Sequence, residues 1–277
     1  MTNYDEIILN ALREDIGAGD LTTESCIPAG CRARGRFLAR EGGVLCGLEI
    51  ARRVFALLDA AVALDSDMAD GARFAAGDVL GVVSGPARAI LTGERVALNL
   101  LQRLSGIATA TAAAVKAVGG TKTQITDTRK TTPGLRALEK YAVRTGGARN
   151  HRFNLADGVL IKDNHIVASG GVEKAVASLR ARIPHTMKIE VEAGDLAQVR
   201  EALRAGADII MLDNMDDDAM RGAVKEIAGR ALTEASGNMG MRDLAAVAAA
   251  GVDYISIGAL THSARALDIS LKLDLRA

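Results

Sequence analysis

The sequence predicts an α/β protein in which a small α+β segment precedes a run of parallel β/α units. Three observations carry that expectation. Short apolar strands alternate with amphipathic helices after residue 118, glycine-punctuated β-like runs crowd the residues before Glu94, and the two regions meet at one long helical stretch. With 277 residues, 49% of them hydrophobic and 25% charged, the chain has enough apolar material for a large core and is too apolar for a disordered protein.

Ile7, Ile8, Ala11 and Leu12 share one face of an opening helix, which Gly17-Ala-Gly-Asp-Leu-Thr-Thr23 ends with glycine and turn-formers. Residues 36–39, 43–46 and 78–84 read as strands, with a helix over 49–58. A long helix is expected over 94–118, where Val96, Leu100, Leu104 and Ile107 recur at helical spacing. Six strands follow, at 124–126, 159–161, 188–191, 208–212, 231–233 and 254–257. Helices at 172–183, 196–205, 219–228 and 242–250 fall between them. Such alternation implies a parallel sheet, either closed as a barrel or doubly wound. The strand ends favour the barrel. In turn they deliver Asp127-Thr-Arg-Lys130, Lys162-Asp-Asn-His165, Glu192, Asp213-Asn214, Ser236-Gly237 and Gly258, and barrel enzymes place their chemistry at C-terminal strand ends.

Composition excludes several functions. Lys+Arg and Asp+Glu number 34 each, so bulk positive charge cannot drive binding to a polyanion. Aromatics are 3% with no Trp, too few for base-stacking platforms, and no nucleic-acid partner is expected. The longest uncharged stretch, residues 104–115, contains Ser, Gly and Thr and falls short of the ~20 apolar residues of a membrane span. The start, Met1-Thr-Asn-Tyr-Asp-Glu6, lacks the basic and apolar regions of a secretory signal, so a cytoplasmic protein is expected. Cys26, Cys31 and Cys46 show no metal-ligand or disulfide spacing and read as buried thiols.

Between Thr128 and Arg152, seven bases face the single acid Glu139. Arg136, Lys140 and Arg144 recur at i, i+4, i+8 and read as a solvated helix face. Arg129-Lys130 and His151-Arg152 differ, because the first pair follows a strand directly and precedes the turn Thr131-Thr-Pro-Gly134. Arg offers a planar fork and Lys a compact charge, so together they suit a ligand with carboxylate and phosphate groups. Lys162 ends an apolar strand and is expected to meet an anion, with an ion pair to Glu192 or Asp213 as the structural alternative. Glu192 and Asp213 end neighbouring strands, where two carboxylates can hold Mg²⁺ or sugar hydroxyls, or stabilise positive charge on a sugar ring. Ser236-Gly237 and Gly258-Ala259 lie at the last strand ends, where small residues let backbone N–H groups approach a phosphate.

Long stretches of this chain resemble the quinolinate phosphoribosyltransferase family. They are Asp127-Thr-Arg-Lys-Thr-Thr-Pro-Gly-Leu-Arg136, Glu139-Lys-Tyr-Ala-Val-Arg144, Asn150-His-Arg152, Leu160-Ile-Lys-Asp-Asn-His165, Met211-Leu-Asp-Asn214 and Gly258-Ala-Leu-Thr-His-Ser263. Glu14 to Thr23, Gly93-Glu-Arg95 with Asn99, and Leu104-Ser-Gly-Ile-Ala108 extend the likeness over nearly the whole chain. The resemblance implies an N-terminal α/β sandwich domain and an incomplete seven-stranded α/β barrel. The sandwich is expected at residues 1–106, joined by the tail 264–277, and the barrel at 107–263. It further implies a homodimer with shared active sites. The family reaction joins quinolinate to phosphoribosyl pyrophosphate with Mg²⁺, releasing pyrophosphate and CO₂ and giving nicotinate mononucleotide for NAD synthesis.

Carried over by motif, Arg129, His151, Arg152 and Lys162 resemble the dicarboxylate pocket, and Arg95 resembles the residue contributed by the neighbouring subunit. Lys130 matches a lysine at the substrate junction, and Glu192 and Asp213 match the acids that bind ribose and metal. Ser236, Gly237, Gly258 and Ala259 match the 5′-phosphate site. Lys130, Lys162, Glu192 and Asp213 are the expected catalytic set. One departure stands in the phosphate loop, which often reads Ser-Gly-Gly in the family and here reads Ser236-Gly237-Asn238. A phosphoribosyltransferase of the same fold acting on nicotinate or another base is the rival reading, and a non-catalytic binding protein is a more distant one. Several bases suit quinolinate, since a monoacid leaves a buried cation unpaired.

Overall fold

The computed structural model describes residues 4–275. The chain runs through α1 (Asp5–Ile16), α2 (Leu21–Cys26), β1 (Arg32–Ala39), β2 (Gly43–Val44), α3 (Leu48–Leu58), β3 (Ala63–Asp65), β4 (Arg73–Phe74), β5 (Val79–Pro86) and α4 (Ala87–Ala117). It continues with β6 (Gln124–Thr126), α5 (Arg136–Thr145), β7 (Val159–Ile161), α6 (Asp163–Ser169), α7 (Val172–Arg180), β8 (Ile189–Ala193) and α8 (Leu196–Arg204). β9 (Ile209–Asp213), α9 (Asp217–Ile227), β10 (Leu232–Ser236), α10 (Leu244–Ala249), β11 (Tyr254–Ser256), α11 (Ala259–His262) and β12 (Ile269–Leu275) complete it. Among the described residues, no helix is long and apolar enough to cross a membrane.

Two compact units form. The first draws on the residues up to Ala112, on Thr132–Gly147 and on the residues from Ala264 onward; the second comprises Ala113–Thr131 and Ala148–Ser263. Residues 132–147, expected with the barrel, therefore cluster with the first unit.

The first unit is built on an antiparallel sheet of order β12-β1-β5-β3. Along β1 the residues alternate, so that Ala33, Gly35, Phe37 and Ala39 face inward while Arg32, Arg34 and Arg36 face water. α3 buries Leu48, Ile50, Ala51, Val54 and Phe55, and the Phe37 and Phe55 rings meet at 6.3 Å and 60°. Each fully buried side chain of this size contributes about 1.5–3 kcal/mol. Asp70 accepts from the N–H groups of Gly47 and Leu48 at 2.8 and 3.1 Å, which caps the start of α3. The C-terminal segment crosses α4 at Gly106, where a Cβ would collide with the carbonyl oxygen of Arg265. The Gln102 carbonyl accepts from Leu267 N at 3.1 Å, and Gln102 Nε2 donates to the Ile269 carbonyl at 2.6 Å.

The stripe Arg136, Lys140 and Arg144 is not uniformly solvated. Lys140 is 1% exposed beside a fully buried Glu139, whereas Arg144 is exposed. α5 turns its Leu138–Lys140 side into the first unit, where Glu139 accepts from Arg103 Nε at 2.8 Å and from the Thr132 N–H at 3.1 Å. The cysteines also depart from expectation. All three are free, but only Cys46 is buried; Cys26 ends α2 on the surface and Cys31 is half-buried ahead of β1. Burial, and then the charge of Asp70, push the Cys46 thiol far up, so it stays protonated.

The second unit holds six parallel strands in the order β6-β11-β10-β9-β8-β7. A single parallel bridge from Thr126 to Arg149 supplies a seventh position beyond β6, with Arg149 N donating to the Ile125 carbonyl at 2.9 Å. The incomplete barrel thus consists of six regular strands and one bridge. Its helices start where the sequence supplies acceptors: Asp195 caps α8, Asp216 caps α9 and Asp243 caps α10.

Candidate active site

A cavity of about 580 Å³ opens at the C-terminal ends of the second unit's strands. Because side chains repeat every second residue along a strand, a strand-end residue and the one two before it face the same way. Lys162, Glu192, Asp213 and Ser236 line it near the ends of β7, β8, β9 and β10, and Leu160, Met211, Glu234 and Ser256 line it from β7, β9, β10 and β11. Pairing sets the register, with Ser236 opposite Asp213, and Glu192 and Glu234 both opposite Met211.

The basic side is braced from beneath. Asp127, fully buried, accepts from Asn150 Nδ2 at 2.6 Å and from His151 N at 2.8 Å. That carboxylate ties the end of β6, which leads into Arg129-Lys130, to the segment carrying His151-Arg152. Arg152 Nη1 donates to the Gly158 carbonyl at 2.9 Å. Burial, and then the neighbouring Arg129, lower the Arg152 guanidinium from its ordinary range, with Glu190 opposing them. Two guanidiniums held together at cost to one of them make a site complementary to an anion with more than one carboxylate.

His151 is committed to the protein at both ring nitrogens. The Arg152 N–H donates to Nδ1 at 2.7 Å, so the ring hydrogen belongs on Nε2, which stands 3.0 Å from Glu190 Oε2 and 3.7 Å from Glu234 Oε1. Glu190 and Glu234 are 3% and 4% exposed. Burial, then the charge of Glu190, raise Glu234 well above the usual carboxylate range, while His151 acts in the opposite direction. His151, Glu190 and Glu234 present ligand atoms close enough to surround a cation. The Nε2 hydrogen speaks against that use, because the ring has no second lone pair to give. The trio is better described as an imidazole hydrogen-bonded to Glu190 with the Glu234 carboxyl buried beside them.

Lys162 Nζ meets Glu192 Oε2 at 2.6 Å, the ion pair weighed as the structural alternative. The Lys162 side chain is 48% exposed, so this pair contributes little to stability and leaves the ammonium open to a ligand. Asp213 Oδ2 accepts from Asn214 Nδ2 at 2.6 Å. Ser236 and Gly237 follow, with Gly237 at φ +97°.

Arg129, Lys130, His151, Arg152, Lys162, Glu192, Asp213, Ser236 and Gly237 all line this one cavity. Arg95, Gly258 and Ala259 do not. Arg95 is exposed on α4 in the first unit. Gly258 is packed between Lys130 and His262, and Ala259 sits against Gly240. Sequence reasoning assigned no role to Asp127, Glu190, Asn214, Glu234 or Ser256. The two-residue alternation in Ile189-Glu-Val-Glu192 and Thr233-Glu-Ala-Ser236 was the available signal: a polar residue two before each strand-end residue must share its face.

A partial α/β barrel that gathers bases, carboxylates and a glycine turn at its strand ends defines an enzyme acting on small anionic and phosphorylated molecules. Comparison with known proteins narrows that class. Residues 107–272 match the family described as quinolinate phosphoribosyl transferase, C-terminal domain, and residues 20–105 match its N-terminal domain. The chain is 48% identical over 263 residues to the probable nicotinate-nucleotide pyrophosphorylase [carboxylating] of Bacillus subtilis (strain 168), spanning 95% of this chain and 90% of that protein. It is 45% identical over 277 residues to the nicotinate-nucleotide pyrophosphorylase [carboxylating] of Mycobacterium leprae, spanning 97% and 96%. The crystal structure of NadC from Streptococcus pyogenes superposes with a TM-score of 0.93 at 46% identity, covering 99% of this chain and 97% of that one. The chain belongs to the quinolinate phosphoribosyltransferase family.

Proposed function

We propose that this chain transfers the phosphoribosyl group of phosphoribosyl pyrophosphate to quinolinate with loss of CO₂, giving nicotinate mononucleotide in NAD biosynthesis. The observation that carries the reading is that Arg129 and Arg152, close enough for one to disfavour the other's charge, line the same cavity as Glu192, Asp213 and the Ser236-Gly237 turn.

Quinolinate has two adjacent carboxylates, and the Arg129–Arg152 pair with Lys162 neutralises both while orienting the ring nitrogen toward the sugar. The Ser236-Gly237 turn holds the 5′-phosphate. As the bond from ribose C1 to pyrophosphate breaks, its electron pair leaves with pyrophosphate, and Lys130 neutralises that leaving group. Positive charge develops on the sugar, and the carboxylates of Glu192 and Asp213 lower its energy by being in place beforehand. The ring nitrogen then forms the new bond to C1. Its positive charge accepts electron density as the adjacent carboxylate departs as CO₂, and a proton replaces it on the ring carbon.

The donor set suits Mg²⁺. Oε2 of Glu192 faces Lys162 and Oδ2 of Asp213 faces Asn214, so each carboxylate has one hard oxygen left to give, and this ion takes few protein ligands beside water and substrate phosphates. When bound, it would neutralise pyrophosphate as a Lewis acid.

The working unit is a homodimer in which Arg95 completes the cavity of the partner subunit. Supporting this, Arg95 is exposed, and Phe153, Leu155, Val167 and Met241 expose apolar surface on segments that follow the barrel strands. The cytoplasm is the expected compartment, since phosphorylated substrates do not cross membranes and Cys26 is a free, exposed thiol.

Incubating the purified protein with quinolinate, phosphoribosyl pyrophosphate and Mg²⁺, with nicotinate as a parallel substrate, tests the reading by chromatography of the product. Nicotinate mononucleotide from quinolinate alone is expected. Product only from nicotinate overturns the dicarboxylate assignment, and product from neither overturns the transferase reading.

A further inference from the structure

Among the described residues, three non-glycine positions adopt a left-handed backbone: Asn214 at φ 54°, Ala228 at 50° and Asn238 at 51°. Two of the three line the cavity. Asn tolerates this conformation better than most residues, yet it remains sparsely populated and persists where surrounding contacts over-determine it. At Asn214 those contacts are visible, and each reaches a part of the site.

β9 and β10 are parallel neighbours that end together, with Asp213 opposite Ser236. The Asn214 N–H extends the ladder by one bond, donating to the Ser236 carbonyl at 3.0 Å. The left-handed turn then throws the carboxamide across the gap between the two strand ends. Nδ2 donates to Asp213 Oδ2 at 2.6 Å. The rest of the group fills the space above Gly237: a Cβ there would lie 2.6 Å from Asn214 Cγ and 2.8 Å from its backbone nitrogen. Gly237 thus needs glycine twice, for its φ of +97° and for this close approach.

We propose that Asn214 is a positioning residue, whose carboxamide couples the orientation of the Asp213 carboxylate to the shape of the Ser236-Gly237 turn and so presets the phosphoribosyl half of the site. This rests on the function proposed above. With Oδ2 held by Asn214, Asp213 presents its other oxygen in one orientation to the ribose, and the same carboxamide, packed against Gly237, fixes the shape of the turn that meets the 5′-phosphate. The dicarboxylate half is held by other bonds, from Asn150 and His151 to Asp127 and from Arg152 to the Gly158 carbonyl. Loss of the carboxamide therefore acts on one substrate and spares the other.

Two variants separate the side chain from the backbone. Asn214→Gly accepts the left-handed φ and removes the carboxamide; Asn214→Asp keeps its size but replaces the donor with an oxygen that repels Asp213. KM for each substrate and kcat are measured with Mg²⁺, together with calorimetric titration of phosphoribosyl pyrophosphate and the melting temperature. In both variants KM and Kd for phosphoribosyl pyrophosphate are expected to rise about tenfold to a hundredfold, the range for one hydrogen bond to a charged group, with KM for quinolinate changed by less than about twofold. Unchanged affinity for phosphoribosyl pyrophosphate in either variant overturns the proposal, as do equal losses for both substrates that follow a fall in melting temperature. If the unaltered protein neither binds phosphoribosyl pyrophosphate nor forms product, the functional reading itself fails, and this proposal with it.

Discussion

The backbone N–H of Arg152 donates to Nδ1 of His151 at 2.7 Å, and this one bond decides what the imidazole can do. It places the ring hydrogen on Nε2, where Glu190 accepts it, so the ring is a strut between a buried carboxylate and the arginine backbone. Asn can reproduce the acceptor at the Nδ1 position. His151→Asn is therefore expected to keep quinolinate affinity within a few-fold, while His151→Ala weakens it by about tenfold or more. Equal losses in the two variants, read by calorimetry, would show that the ring contacts the ligand directly.

Arg129 and Arg152 stand close enough for one to disfavour the other's charge. Arg129→Ala or Arg152→Ala is expected to weaken quinolinate binding by about tenfold to a hundredfold, with a much smaller effect on phosphoribosyl pyrophosphate. Separate titrations of the two ligands check this, and matching losses would remove the dicarboxylate assignment.

Glu234 carries a raised pKa because it is buried beside Glu190. The folded protein then binds a proton that the unfolded chain releases, so this contribution to stability is complete below the ordinary carboxylate range and is lost as pH rises through the elevated folded value. Thermal unfolding followed from about pH 5 to about pH 9 is expected to show that decline, and Glu234→Gln, which is permanently neutral, is expected to flatten it. A variant curve parallel to that of the unaltered protein would sink the account.

Glu41 shows the opposite sign. Its carboxylate accepts from Arg265 Nη1 at 2.7 Å and from Asp268 N at 2.9 Å, and these partners, Arg265 first, lower its pKa to about 2. Stability from this group is present above its ordinary value of 4.5 and is lost as pH falls toward about 2. Glu41→Gln is expected to lose less melting temperature than the unaltered protein over that interval. The effect is modest and salt-sensitive, because the Arg265 side chain is 72% exposed. Identical acid profiles for the two proteins would count against it.

All six predicted barrel strands are present, because each is a short apolar run bounded by turn signals, a pattern set by local composition. The strand-end residues Lys162, Glu192, Asp213 and Ser236 were legible for the same reason: a polar residue closing an apolar run faces the mouth of a barrel. Lys140 was misread because helical spacing reports which residues share a face, not what that face meets.

The sequence by itself determined the alternation of strands and helices, the basic segment from Arg129 to Arg152 and the polar strand ends that make a site possible. Only the tertiary structure decided that Glu190 and Glu234 come together at His151, that Asn214 bridges Asp213 and Gly237, and that residues 132–147 join the first unit. The physical reason is range. Periodicity and turn chemistry act within a few residues, whereas these relationships depend on strand register and on packing between segments tens to hundreds of residues apart, which no local pattern encodes.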